Sequence, residues 1–469
     1  MAMSVLLAAT LWTLLLVITS GSALAFQDPA TSQAGAGNLR DTPSQAPPSP
    51  TQVSHLPAST SKMNRMDCPR SADPHRRHTG CKDEELDWEE TLSHDLAGLR
   101  SKMWKLGIST SLSYTGLLQT NATGGPHQIW GYAGQLVAGL NVDLGKLLKV
   151  KGMSVYVGGS WGTGDNLSAS LGTLFPVNSI WASTYYLGEM YLQQTLLKSR
   201  LTALGGRLAA ANTFATLPVF NNYVNYGLNP NPYPLGGNDI AFLGPPTGTE
   251  WGVQATYILT PAVQISAGLF NNNLNSASGQ NHGTDWTLQQ GNKGALVVAQ
   301  VSYYPHGIVT DQGKQGEYTV GLISDNNSFS TVPGGEAKSG GYVGAFAMGQ
   351  EMVYQPDGRG TMRGLTVWGS WAYNSKPLIS IVPLFWGAGA SYQGLISKRK
   401  NDAVSVGWIY GQVSRYVPDT TAEQILEVNY RWLYRRFLSI TPDFQYIWNP
   451  GGHSVPGVTV VGVKASITF

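Results

Sequence analysis

The charged residues that could do chemistry in this chain are few, and they lie where polar and bulky apolar residues alternate. In residues 425–434 (ILEVNYRWLY), one parity carries Glu427, Asn429 and Arg431, and the other carries aromatic and aliphatic side chains. A two-residue period of this kind predicts a β-strand whose two faces meet different environments. On such a strand the charges act through hydrogen bonds and their electric field across a polar space, rather than by making or breaking bonds.

Other charged residues follow the same alternation. Asp443 and Lys464 lie in the next two alternating segments, and Glu189 and Arg207 lie in a pair of segments joined by a short turn. From the position of the turns, we expect Glu189 and Arg207 to be approximate cross-strand neighbours, with Glu427 near Asp443. Each charge either lines a constriction or belongs to a wall network that holds the strands. The lumen-facing candidates are Glu189, Arg207, Glu427, Arg431, Asp443 and Lys464.

The sequence gives little support for enzymatic or metal chemistry. It has no His-Glu-x-x-His, no Walker-type glycine loop and no EF-hand pattern, and its carboxylates do not form a clear acid pair. The net charge is +2 without a basic cluster that would indicate nucleic acid binding. We therefore expect no enzyme, no cofactor and no nucleic-acid partner. A secreted all-β glycan-binding protein or glycosidase is the rival interpretation from another class.

The composition favours a membrane β-barrel. Charged residues make up 12% of the chain, against about 25% in an ordinary soluble protein. No apolar run after the N-terminus reaches the roughly 18 residues that a spanning helix needs. Residues 106–469 instead contain alternating segments, and about 22 to 24 residues for each strand and connection predicts about 16 strands. The expected fold is all-β, a transmembrane antiparallel barrel preceded by a short amphipathic helix over residues 86–105.

The N-terminal region predicts export. Residues 1–25 have an apolar stretch and end in Ala23-Leu24-Ala25, which is typical of a cleaved signal peptide; an N-terminal anchor is the alternative. Residues 26–85 are rich in Pro and Ser and predict a disordered periplasmic extension. Within it, Cys68 and Cys81 are expected to form a disulfide, with a metal site that includes His75 and His78 as the alternative.

Several blocks resemble the carbohydrate-selective porins of the OprB type. The resemblance covers most of the chain after residue 86, and it departs from the family pattern at Lys464, where an arginine is usual. It implies a passive channel for small sugars in the outer membrane of a Gram-negative bacterium, in contact with membrane lipid and either monomeric or trimeric. A general porin of the same architecture is the alternative. The matching blocks are DLAGLRSKMWKLGI (95–108), NATGG (121–125), LGEMYLQQTLLKSRLTALGGRLAAANTFA (187–215), EQILEVNYRWLY (423–434) and PDFQYIWNPGG (442–452).

Aromatic and amide residues are further candidates if sugars pass through the barrel. Trp130, Trp161 and Trp251 could stack on the apolar face of a pyranose ring, or they could belong to an interfacial girdle. The irregular stretch around residues 221–226 (NNYVNY) could fold into the pore mouth, or it could be a solvated loop.

Overall fold

The structure of the protein is a computed structural model. The structure describes residues 91–180, 185–229, 231–236, 242, 248–271, 282–284, 294–308, 315–335, 337–358 and 361–469. The expected signal peptide (1–25), the extension (26–85) with Cys68 and Cys81, and the first residues of the expected helix lie outside these ranges.

The strands form one closed antiparallel barrel, in which each strand pairs with its neighbours in sequence and β1 pairs with β16. This confirms the expected all-β barrel of about 16 strands. The strands are β1 (Ile108–Thr123), β2 (Trp130–Asp143), β3 (Met153–Gly164), β4 (Tyr185–Leu196), β5 (Leu201–Leu208), β6 (Glu250–Thr260), β7 (Val263–Phe270), β8 (Leu296–Tyr303), β9 (Gly316–Ser330), β10 (Lys338–Tyr354), β11 (Gly364–Asn374), β12 (Leu384–Gln393), β13 (Ala403–Gln412), β14 (Ala422–Arg435), β15 (Leu438–Trp448) and β16 (Val458–Thr468).

The two faces of the barrel wall differ in chemistry. On β9 the outward side chains Tyr318, Val320 and Leu322 have exposed fractions of 46%, 59% and 63%, whereas the intervening Thr319 is buried. A continuous exposed apolar surface of this kind, repeated around the barrel, is what a lipid-facing wall requires. The inner face contacts an apolar cluster formed by wall residues and by loop segments inside the lumen.

Connections at the two ends of the barrel differ in length. The end where β1 begins and β16 ends is called here the terminal rim, and the opposite end the loop rim. The terminal rim has tight turns such as residues 261–262 and 436–437, whereas the loop rim carries the long connections 165–184 and 209–249. This difference matches the short-turn and long-loop asymmetry of outer-membrane barrels.

Short helices complete the described structure. They are α1 (Leu99–Lys105), α2 (Leu144–Leu147), α3 (Ser168–Leu171), α4 (Tyr233–Gly236) and the 3-10 turns Ala210–Asn212, Pro218–Asn222 and Pro450–Gly452. In the part of the chain that is described, no helix has both the length and the apolar character needed to cross a membrane.

Helix α1 is shorter than the expected helix over residues 86–105, because residues 91–98 form turns in which His94, Leu96 and Ala97 have positive φ values. The side chain of Asp95 accepts a hydrogen bond of 2.8 Å from the Ser101 backbone N–H. Arg100 donates to the Phe469 carbonyl oxygen at 2.8 Å, which fixes α1 beside the seam between β1 and β16.

Candidate functional site in the barrel lumen

Two loop segments from the loop rim enter the lumen. The first inward segment comprises residues 165–180, between β3 and β4, and the second comprises residues 209–229, after β5. Phe175 in the first segment and Phe214 and Tyr223 in the second are completely buried. Irregular backbone in this position must find hydrogen-bond partners for its N–H and C=O groups. The inner wall supplies many of them.

Glutamine side chains on alternate strands hold the early part of the second inward segment. Gln254 on β6 donates to Thr213 Oγ1 at 2.8 Å. Gln300 on β8 donates to the Thr213 carbonyl oxygen and accepts from the Ala215 N–H, both at 3.0 Å. Gln350 on β10 accepts from the Val219 N–H at 3.0 Å. The segment therefore follows the curvature of the wall rather than projecting into solvent.

An aromatic contact continues this path. Trp368 Nε1 on β11 donates to the Tyr223 hydroxyl at 2.7 Å, and that hydroxyl donates to the Val406 carbonyl oxygen on β13 at 2.9 Å. Asn222 Nδ2 donates to Ser391 Oγ on β12 at 3.0 Å. The stretch around residues 221–226 therefore lies inside the barrel against the wall, which excludes the solvated-loop alternative.

Two buried carboxylates on β14 each hold one segment. Glu423 accepts from the consecutive N–H groups of Leu174 and Phe175, both at 2.8 Å. Glu427 accepts from those of Val224 and Asn225, at 2.8 and 2.9 Å. A buried N–H group left without its acceptor costs about 1 to 3 kcal/mol, so each pair of hydrogen bonds is expensive to break. The carboxylates therefore fix the positions of both segments.

Gln445 on β15 joins the two segments directly. Its Nε2 donates to the Val177 carbonyl oxygen, and its Oε1 accepts from Asn225 Nδ2, both at 2.8 Å. On β1, Gln119 Nε2 donates to the same Val177 carbonyl oxygen at 3.1 Å and Gln119 Oε1 accepts from Asn178 Nδ2 at 2.7 Å. The segments and the wall from β6 to β1 thus form one hydrogen-bonded layer that narrows the lumen.

A polar cluster lies on the terminal-rim side of this layer. We call it the lumen polar patch; it comprises Asn429, Arg431, Asp443 and Lys464. Asn429 pairs with Asp443 across β14 and β15, and Lys464 on β16 lies one rung further toward the terminal rim, opposite Thr441. The charges of Glu427 and Asp443 both act on the Lys464 ammonium group. The patch therefore brings acidic and basic side chains together, and its Asn429 Nδ2 donates to the Asn222 carbonyl oxygen of the second inward segment at 3.0 Å.

Several atoms of the lumen polar patch are buried without a hydrogen-bond partner among the described residues. They are Asn429 Oδ1, Arg431 Nε and Asp443 Oδ1. Two of these atoms are acceptors and one is a donor. Buried polar groups without partners are costly and rare in folded proteins, so these three atoms give the patch unused hydrogen-bonding capacity.

Glu189 and Arg207 are both buried, but the strand register does not oppose them. Arg207 pairs with Met190 on β4 and not with Glu189, and a shift of one residue moves a side chain to the other face of the wall. Arg207 shares the outward parity of Gly205, which pairs with the exposed Val253, whereas Leu208 packs in the lumen. The expected lumen position of Arg207 is therefore wrong.

Glu189 accepts from Asn212 Nδ2 at 2.9 Å at the start of the second inward segment. Arg207 Nε donates to Thr249 Oγ1 at 2.8 Å. Glu189, like Glu427, therefore contacts the second inward segment. This is the position expected of charges that belong to a network along the wall.

Glu427 and Asp443 lie near each other, as expected, although they are not a directly opposed pair. Glu427 pairs with Gln445, and Asp443 pairs with Asn429, so the two carboxylates are diagonal neighbours rather than directly opposed. Arg431 pairs with Ala403 on β13. The inner wall on the terminal-rim side of the inward segments nevertheless carries all three of Asp443, Arg431 and Lys464.

The tryptophan candidates lie on the outward face of the barrel, whereas a sugar-stacking site would have to face the lumen. Trp130 and Trp161 are on the outward face with exposed fractions of 67% and 60%, so they take the girdle position instead of contacting the lumen. Trp251 is half-buried and has the outward parity of Val253, which is 57% exposed, whereas Gln254 points into the lumen. The barrel therefore does not place Trp251 at a lumen stacking site either.

Tyr156 and Tyr191 are aromatic residues of the inner wall that were not among the predicted site residues. They pair across β3 and β4, and their ring centroids lie 5.2 Å apart in a stacked arrangement. Both are half-buried, and the charge of Glu189 acts on both hydroxyls. The sequence signal that could have identified both tyrosines is that each lies on the inward-facing parity of an alternating segment, in two adjacent strands.

A serine-hydrolase spacing also occurs in the chain but has the wrong local structure. Gly158-Gly159-Ser160-Trp161-Gly162 fits Gly-x-Ser-x-Gly. It lies inside extended strand β3, whereas a nucleophile elbow needs a sharp turn from a strand into a helix. The barrel and its narrowed lumen indicate a channel rather than an enzyme.

Comparisons with known proteins agree with this architecture. A sequence model described as "Carbohydrate-selective porin, OprB family" matches residues 127–469. Porin B from Pseudomonas aeruginosa is 22% identical over an alignment of 433 positions, which covers 80% of this chain and 90% of that protein. The putative porin QuiX from Acinetobacter baylyi is 22% identical over an alignment of 420 positions, which covers 80% of this chain and 92% of that protein. The high-pH structure of Pseudomonas putida OprB has a TM-score of 0.73 at 22% identity, covering 81% of this chain and 98% of that one.

Proposed function

We propose, from the premise that the chain belongs to the carbohydrate-selective porin family OprB, that it passes small sugars by passive diffusion through the barrel lumen. The family and the fold place it in the outer membrane of a Gram-negative bacterium. Export of the chain depends on residues 1–25, which are removed after translocation.

The observation that carries the proposal is the lumen polar patch. A sugar hydroxyl both donates and accepts hydrogen bonds, so it needs donors and acceptors close together to replace its hydration. Arg431 Nε offers a donor, and Asn429 Oδ1 and Asp443 Oδ1 offer acceptors, all buried and without partners among the described residues. Such a site compensates a neutral polyol for lost water without binding it so tightly that transport stops.

The charges near the patch favour neutral solutes over bare ions. Lys464 lies in the field of Glu427 and Asp443, so an ion of either sign meets a repelling charge close to an attracting one. A neutral sugar experiences no net penalty in that field. The stacked pair Tyr156 and Tyr191 adds apolar ring faces to the inner wall, and such faces suit a pyranose.

A single-channel measurement tests the proposal. We expect glucose added to a planar bilayer containing the native protein to reduce the open-channel current in proportion to occupancy. A neutral amino acid of similar size at the same viscosity should reduce the current less. The change Asp443→Asn removes a charged acceptor, so glucose block should weaken about two- to tenfold, as expected for one hydrogen bond.

Asp419→Asn is the matched control, because Asp419 is exposed at the loop rim in the connection between β13 and β14, outside both inward segments, and its loss should leave glucose block unchanged. Equal block by glucose and the amino acid in the native protein would contradict sugar preference and indicate a general porin.

A further inference from the structure

An open apolar groove crosses the outward face of the barrel between β8 and β13. Its volume is about 810 Å³. The floor is a row of small residues, Gly349, Gly369 and Ala388, which pair directly across β10, β11 and β12. The row continues to Tyr318 on one side and Trp408 on the other, whose rings form the groove walls.

The missing side chains create the depth of the groove. A Cβ atom added at Gly369 would find its nearest neighbour, the Gly387 carbonyl oxygen, at 3.8 Å, so the space above it is open. The adjacent row carries Ala347, Trp371 and Trp386. The two tryptophan rings are much larger than the Ala347 side chain beside them. The groove lining contains no charged residue, and it continues the exposed apolar surface that faces the membrane.

The terminal rim beside the groove has the opposite character. In the turn 394–402 between β12 and β13, Leu395 and Ile396 have exposed fractions of 54% and 50%. They are followed by Lys398, Arg399 and Lys400. Lys398 is exposed, and the side chain of Lys400 is 67% exposed, with its ammonium group 3.8 Å from Asp357 Oδ2. Exposed apolar residues followed by lysines are typical of a segment at the membrane–water boundary.

The spacing between groove and turn suits a lipid. Gly369 lies five residues from Gly364, where β11 begins at the terminal rim, which corresponds to about 16 Å at 3.3 Å per residue. Tyr354 and Tyr392 lie between the two levels, with ring centroids 6.3 Å apart, at a height where aromatic belts occur. An acyl chain in the groove would therefore place its headgroup among the basic residues.

We propose that this groove binds one acyl chain of an anionic phospholipid, whose headgroup is held by Lys398 and Lys400. The argument for lipid is that the groove is continuous with the membrane-facing surface and that the rim beside it is basic. A bound lipid would fill the concave wall and hold the turn 394–402 at the membrane surface.

Native mass spectrometry of the full protein, after exchange into detergent containing phosphatidylglycerol or phosphatidylcholine with identical acyl chains, tests the proposal. We expect one phosphatidylglycerol per barrel to be retained in preference to phosphatidylcholine. Gly369→Leu fills the groove and should reduce retention of both lipids about tenfold. Lys398→Ala with Lys400→Ala should abolish the preference for phosphatidylglycerol, at about fivefold for each lysine.

Ala267→Leu is the control, because Ala267 lies on the outward face of β7 between the exposed residues Ile265 and Leu269. It should leave lipid retention unchanged. Heat-modifiable gel migration establishes that each variant is folded. If Gly369→Leu and Ala267→Leu have the same effect, the groove is not the binding site. If Val320→Cys cross-links two barrels in the membrane at high yield, a second copy covers the groove and the lipid proposal is wrong.

Discussion

Glu423 and Glu427 lie four residues apart on the inner face of β14, and each carboxylate accepts hydrogen bonds from two consecutive backbone N–H groups of a different inward segment. Glu423 accepts a third, of 2.6 Å, from the Gly451 N–H in the connection between β15 and β16. One strand therefore determines the positions of both segments that narrow the lumen.

The first prediction concerns this attachment. Glu427→Gln keeps the shape of the side chain but leaves only one acceptor oxygen for the N–H groups of Val224 and Asn225. An unsatisfied buried N–H group costs about 1 to 3 kcal/mol, so we expect the second inward segment to leave the wall part of the time. Single-channel recording should show a larger mean conductance and more current noise than in the native protein.

Glu351→Gln controls for the chemical change itself. Glu351 pairs with His306 at 2.6 Å at the terminal rim, outside the layer of inward segments. The single-channel conductance of the Glu351→Gln variant should equal that of the native protein. Unchanged conductance and noise in Glu427→Gln would show that the carboxylate does not determine the width of the lumen.

The second prediction concerns ion selectivity. Lys464→Met removes one of the two basic side chains of the lumen polar patch and leaves Arg431 together with Glu427 and Asp443. A unit charge acts with about 1 kcal/mol at 4 Å even in water, so the cation-to-anion permeability ratio should rise roughly fivefold. The reversal potential in a KCl gradient measures this ratio. Lys338→Met, at an exposed position where β10 begins, should change it much less, and equal shifts in the two variants would place Lys464 away from the ion path.

The third prediction concerns the inner-wall tyrosines. Tyr191→Leu removes the ring that stacks on Tyr156, and we expect glucose entry into liposomes to slow while entry of a size-matched neutral amino acid does not. Trp161→Leu is the control, because Trp161 points outward. Equal slowing of both solutes would mean that Tyr191 only shapes the wall.

The fourth prediction concerns pH. Burial raises the pKa of Asp402, but hydrogen bonds from Arg399, Tyr430 and the Leu433 N–H outweigh burial and hold this pKa below its ordinary value. A carboxyl whose pKa is lowered by folding stabilises the folded state above its unfolded pKa, and this contribution is lost as the pH falls through the folded pKa.

Asp402→Asn should therefore lower the unfolding temperature at pH 7, measured by heat-modifiable gel migration. The difference from the native protein should shrink below about pH 4, where the ordinary aspartate is protonated. A difference that stayed constant from pH 7 to pH 3 would contradict the assigned role of the carboxylate.

The alternation of residue types was sufficient to predict the wall but not its exact registers. The strand around Glu427 was expected because apolar and polar residues alternate there, and β14 (Ala422–Arg435) confirms it. The pairing of Arg207 differs by one residue and that of Asp443 by two, because the turns that set these registers lie at residues 197–200 and 436–437. A register is fixed by turn geometry, which one-dimensional periodicity does not specify.

The inward segments could not be positioned from local pattern. The hydrogen bond from the Val224 N–H to Glu427 joins residues 203 apart in sequence, and no periodicity links them. The alternation also could not predict which face of the wall carries Trp130 and Trp161, because bulky aromatic residues suit both a lipid boundary and a sugar site. Only the closed barrel distinguishes the outward face from the lumen.

Liposome swelling with the purified native protein tests the central claim most directly. The entry rates of glucose, a disaccharide and an uncharged amino acid of glucose size are compared in the same vesicles. A carbohydrate-selective passive channel predicts faster entry of glucose than of the amino acid, with a rate proportional to the glucose gradient. Equal rates for these two solutes, or no swelling by the correctly folded barrel, would contradict it.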